Sequence, residues 1–131
     1  MSDMQRIAVA RNDMKRLNRN SIGIDQGADI LFSDFEEGGP MWAGQGPRQV
    51  RRHVRFSEGF ASPPSIQVGM SMWDLDQQTN ARADIAAEDV TATGFVIVFR
   101  TWGDTRIARV RASWLAIGDL PDDDWDHWDL G

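Results

Sequence analysis

The spacing of apolar residues changes period near residue 29. Before it, Ile7, Ala10, Met14 and Leu17 recur at intervals of three and four, the seam of a short coiled coil. Ser2 or Asp3 can cap such a segment, and the pattern predicts a helix over residues 3–19. Two heptads are marginal in isolation, so this helix calls for partners or a docking surface. Gly23 and Gly27 then interrupt it, and residues 20–28 read as a linker.

From residue 29 the period is two. Strands are expected over residues 29–35, 50–56, 65–73, 82–90, 95–102 and 105–117. In the second, Val50, Val54 and Phe56 point one way and Arg51, His53 and Arg55 the other; Arg52 interrupts the apolar face, which places it near an end or edge. In the third, Ile66, Val68, Met70 and Met72 point inward. In the fourth, Ala83, Ile85 and Ala87 face a core while Arg82 and Asp84 face out. The fifth is the most strand-like, with Phe95, Ile97 and Phe99 on one face and Val96, Val98, Arg100 and Trp102 on the other. In the last, Val110, Ala112, Trp114 and Ala116 face inward. Residues 36–47 form a glycine- and proline-rich loop with one tryptophan, Trp42, and residues 74–81 a polar turn. Short strands with no helix between them predict an all-β, six-stranded antiparallel sandwich preceded by a short N-terminal helix. The expected organisation is a helix and linker over 1–27, the sandwich over 28–118 and an acidic tail over 119–131.

Composition narrows the function. A chain of 131 residues is one domain, large enough for a core without staples. The absence of cysteine excludes disulfides, thiol nucleophiles and zinc–thiolate sites. No apolar run approaches the roughly 20 residues of a bilayer span, and no signal-peptide core is visible. The net charge of −6 argues against nucleic acid as a partner. Acidity gathers in residues 25–37 and 118–131, which contain no basic residue. Of the 14 basic residues only Lys15 is not arginine, and six tryptophans stand beside no tyrosine. Arginine with tryptophan is a contact chemistry, a planar donor fork beside a flat apolar face.

Catalytic motifs are missing. There is no Gly-x-Ser-x-Gly elbow and no phosphate loop. His53 lies among arginines and reads as a surface residue; His127 lies in the acidic tail. Residues Asp74 to Asn80 alternate oxygen ligands but lack the glycine and terminal glutamate of an EF-hand loop. The run Asp122-Asp123-Asp124 reads as a solubilising face. No metal, cofactor or enzymatic activity is expected. Arg82, Arg100 and Trp102 would form one polar-aromatic patch if the fourth and fifth strands meet, and such a patch suits a sugar. An ion pair from Arg82 to Asp84 or Asp104 is the competing reading.

Five segments in order resemble the H-type lectin domains of snail agglutinins and of the C-terminal part of discoidins. They are Val54-Arg55-Phe56 with Phe60 to Ile66, Asp74-Leu75-Asp76 with Asn80-Ala81-Arg82, Val90 to Phe95, Thr101-Trp102-Gly103-Asp104-Thr105, and Ala112 to Gly118. The resemblance implies a sandwich that assembles as a homotrimer and binds galactose or N-acetylgalactosamine in shallow pockets near subunit junctions. The family's sugar-binding arginine aligns with Arg82 and its stacking tryptophan with Trp102. The histidine that often follows the tryptophan is Gly103 here. The family's aspartate aligns near Gln45 and the small residue two before it with Ala43. Gln45 accepts a hydrogen bond without charge, which costs on the order of 1–2 kcal/mol, and Asp104 is the candidate substitute acid. The expected function is therefore glycan binding. The alternative is a trimeric structural component of a phage-like particle, docking other proteins through its N-terminal helix and Trp125/Trp128 tail.

Overall fold

The computed structural model describes residues 6–18 and 21–122. Six strands and one short helix follow in order: β1 (Ile22–Ser33), α1 (Pro40–Ala43), β2 (Arg48–Arg55), β3 (Ser65–Leu75), β4 (Asp84–Glu88), β5 (Gly94–Thr101) and β6 (Ile107–Asp119). They make two antiparallel three-stranded sheets, ordered β1-β6-β3 and β2-β5-β4. The two most apolar strands, β5 and β6, are thus the central ones.

The core lies between the sheets. Phe95, Ile97 and Phe99 of β5 are buried, as are Val110, Ala112 and Ala116 of β6. Their faces are those the alternation predicted. Aromatic rings tie the layers together: Phe32 and Phe99 have centroids 5.5 Å apart, Phe95 and Trp114 5.4 Å. Trp114 also packs over the backbone of β1 at Gly27, where a Cβ would stand 2.8 Å from the indole nitrogen. Met41 of α1 plugs one end of the core.

Arg52 lies on an edge strand, as expected, where it pairs with Asp29 and donates to the Ile30 and Leu31 carbonyl oxygens at 3.0 and 3.3 Å. This ties β2 of one sheet to β1 of the other. On the outward face of β5, Val96 and Val98 are nonetheless buried. Arg51 on β2 reaches Glu88 on β4 at 3.6 Å, and Arg100 reaches Glu88 at 2.7 Å and Asp84 at 3.6 Å. The aliphatic stems of these arginines cover the valines.

Four expectations are corrected. The predicted helix over 3–19 is not formed: residues 6–18 carry no regular secondary structure, and Ile7, Val9 and Met14 are exposed. Residues 3–5 and 19 lie outside the described residues. Two turns of seam without a partner do not overcome helix nucleation. The expected linker is half strand, because β1 already begins at Ile22 and pairs with Asp119 of β6. The loop over 36–47 contains a helical turn started by Pro40, whose fixed φ suits a first helical position. Finally, Met72 does not join the inward row of β3. The register shifts between Met70 and Met72, so Met72 pairs with the outward Arg111 while Trp73 pairs with buried Val110. The tail residues Asp123, Asp124, Trp125, His127 and Trp128 lie outside the described residues.

Candidate functional site

The turn between β5 and β6 organises the site. It runs Thr101-Trp102-Gly103-Asp104-Thr105, and Gly103 takes a φ of +69°, which favours glycine. Both threonines are buried and fasten the segment before β4. Thr101 Oγ1 donates to the Arg82 carbonyl oxygen at 2.6 Å, and Thr105 Oγ1 to the Asn80 carbonyl oxygen at 2.5 Å. Arg82 is thereby delivered to the turn. Its guanidinium lies on Gly103, with Nη1 2.7 Å from where a Cβ would be. Nη1 donates to Asp104 Oδ1 at 2.6 Å and to Thr105 Oγ1 at 3.2 Å. Nε and Nη2 engage no other described residue. The hydrogen bond from Arg82 holds the Asp104 carboxyl below its usual range, with partial desolvation opposing and Coulombic attraction adding. Trp102 stays 45% exposed, so its indole is available to a ligand.

The loop with Ala43 and Gln45 is brought to the same turn. Gly46 N donates to the Gly103 carbonyl oxygen at 3.0 Å. Arg48 reinforces this by donating from Nη2 to that oxygen at 3.0 Å, from Nε to Gly46 O at 2.9 Å, and from Nη1 to Pro40 O and Met41 O at 3.1 and 3.2 Å. Ala43 and Gln45 are exposed on this pinned loop. All six sequence-predicted site residues therefore gather around one turn. Thr101, Thr105 and Arg48, which position them, were missed. The threonines flanking Trp-Gly-Asp were a legible signal, since buried hydroxyls require partners; Arg48 gave none.

The expected patch of Arg82, Arg100 and Trp102 is divided. β4 and β5 do pair, with Asp84 opposite Arg100. Trp102 and Arg100 share a depression of about 610 Å³ with Pro47, Gln49 and Asp84, but Arg82 does not line it. Among the described residues, no three His, Asp or Glu side chains gather to hold a metal ion. In the turn after β3, Asp76 Oδ1 accepts from Gln78 N at 3.0 Å, and Asp74 lies 3.8 Å from Arg109. His53 is exposed on β2.

A family model described as the H-type lectin domain matches residues 51–117. The chain belongs to the H-type lectin family. That membership carries carbohydrate binding at the level of the family. The H-type lectin region is 31% identical over 91 residues to a discoidin-1 polypeptide of Dictyostelium discoideum, covering 69% of this chain and 35% of that protein. The chain thus spans about a third of the length of the discoidins it matches. It is also 61% identical over 107 residues to a protein of Fuscovulum blasticum named ATP synthase subunits region ORF 7, covering 81% of this chain and 93% of that one. In fold it is similar to wild-type discoidin II from Dictyostelium discoideum, with a TM-score of 0.67 at 22% identity, over 82% of this chain and 40% of that one.

Proposed function

We propose that this chain is a non-enzymatic carbohydrate-binding module that holds a galactose- or N-acetylgalactosamine-type hexose at the Gly103 turn. The observation that carries this reading is the Arg82 guanidinium laid flat on Gly103, with Nε and Nη2 unengaged, beside a half-exposed Trp102. Trp102 packs on the C–H face of the sugar. Arg82 donates to ring hydroxyls from its two unengaged nitrogens. Asp104, ionised by its contact with Arg82, accepts from a hydroxyl in place of the family's loop aspartate. Gln45 accepts through its side-chain carbonyl.

The reading includes a homotrimer. Ile22, Ile24, Ile30 and Leu115 are exposed on the outward face of the β1-β6-β3 sheet and form an apolar stripe suited to contact between subunits. Three weak pockets on one assembly would gain avidity for clustered cell-surface glycans.

A second reading, a trimeric structural component of a phage-like particle, is favoured by one observation: Arg82 already has a carboxylate partner. A glycan array with the wild-type chain, Arg82→Ala and Trp102→Ala separates the two. Binding by the wild type that both variants lose supports the lectin. Absence of binding across the array overturns it and leaves the structural component.

A further inference from the structure

The segment between β1 and α1 is built more firmly than a connector requires. Asp34 N donates to Ala108 O at 2.8 Å, Asp34 O accepts from Gly39 N at 2.9 Å, and Asp34 Oδ2 accepts from Met41 N at 3.0 Å. Trp42 is fixed on two sides. Phe35 meets it edge-on, with centroids 4.8 Å apart and planes at 79°. Arg106 places its guanidinium carbon 4.5 Å from the indole centroid and donates from Nε to Trp42 O at 3.0 Å. Phe35 itself remains 55% exposed. The result is a rigid aromatic wall facing solvent.

This wall closes a cavity of about 420 Å³, lined also by Ser33, Glu36, Asp74 and Arg109. It shares no lining residue with the depression beside Trp102. Its polar groups are loosely engaged. Asp74 and Arg109 approach only to 3.8 Å, and Glu36 has no partner among the described residues.

We propose that this cavity is a second carbohydrate subsite and that its ligand is a neutral hexopyranoside. The inference shares a ligand class with the proposed function but none of its residues. The charges select the ligand. An anion meets Glu36 and Asp74, and a cation meets Arg109 and the Arg106 guanidinium. A neutral polyhydroxyl ring satisfies both signs, donating to the carboxylates and accepting from Arg109. Its C–H face packs on Phe35 and Trp42. The volume falls in the range of small-molecule sites. Because the wall is fixed before the ligand arrives, little ordering is needed on binding.

The test is a two-dimensional NMR titration of the full chain with methyl β-galactopyranoside, then with other neutral methyl hexopyranosides, up to roughly tens of millimolar. The expected result is a shift of the Trp42 indole and Ala108 amide resonances. Phe35→Ala should weaken that response about tenfold, and Glu36→Gln should weaken it independently, with Trp102 responding as in the wild type. Arg82→Ala should leave the Trp42 response intact. Shifts at Trp102 with none at Trp42 and Ala108 overturn the second subsite alone. So does a Trp42 response that neither Phe35→Ala nor Glu36→Gln alters. A Trp42 response removed by Phe35→Ala while Trp102 stays silent upholds this subsite and overturns the assignment at the Gly103 turn. Silence at both overturns both.

Discussion

The guanidinium of Arg82 rests on the backbone of Gly103, so closely that a Cβ on Gly103 would stand 2.7 Å from Nη1 and 3.0 Å from Cζ. Two demands meet at Gly103: a positive φ and an empty side-chain position. Gly103→His, which restores the residue the family often carries there, is expected to lower stability by about 1–3 kcal/mol and to lift Arg82 off the turn. Thermal unfolding measures the first effect. Chemical shifts of Arg82 Nε and Asp104 measure the second.

Asp104 should titrate below the ordinary aspartate value of 3.8, chiefly through the hydrogen bond from Arg82. A carboxyl lowered on folding contributes stability that is present above its unfolded value. That contribution disappears as pH falls through the folded value. Carboxyl-detected NMR should therefore place the Asp104 midpoint on the acid side of 3.8, and Arg82→Gln should return it to the ordinary range. An unchanged midpoint in Arg82→Gln would exclude Arg82 as the cause.

Glu88 is lowered in the same sense by hydrogen bonding from Arg100, with Arg51 adding charge attraction. Glu88→Gln should release both arginines and open Val96 and Val98 to water. The expected outcome is a lower denaturation midpoint that adding salt to the wild type partly reproduces, since exposed ion pairs are screened. Equal midpoints for variant and wild type would remove the ionic cover from the account of stability.

Gly27→Ala should force Trp114 away from β1, because the new methyl would meet the indole at 2.8–2.9 Å. A loss of about 1–3 kcal/mol is expected, with a shift in tryptophan emission. Retained stability would mean that the ring finds another rotamer at no cost.

Ile24→Asp places a charge in the stripe on the outward face of β1-β6-β3, where Ile24 is 66% exposed. Light scattering should report the mass of one chain for the variant and three times that mass for the wild type. A wild-type chain that scatters as a monomer would end the trimer proposal.

Much of the fold could be read from alternation, because β2, β5 and β6 each keep one parity across the core. The departures come where parity breaks. Leu31 and Ser71 sit at register shifts, and a period-two pattern carries no sign of an extra residue. The N-terminal seam misled for a different reason: Ile7 and Met14 have helical spacing but no surface to bury against, and spacing alone does not supply one. Arg82, Trp102 and Asp104 were legible because they lie in contiguous motifs. The aromatic wall was not, since Trp42 is fixed by Arg106, 64 residues further along.

The ionic cover spanning Arg51, Glu88 and Arg100 gives the sandwich two unlike sides. One broad surface offers bare isoleucines to a neighbour, and the opposite one hides its valines beneath charge. Copies that adhere through the first find no matching adhesive on the far side. Layer-upon-layer growth, the hazard of many small β-proteins, therefore stops at the first contact.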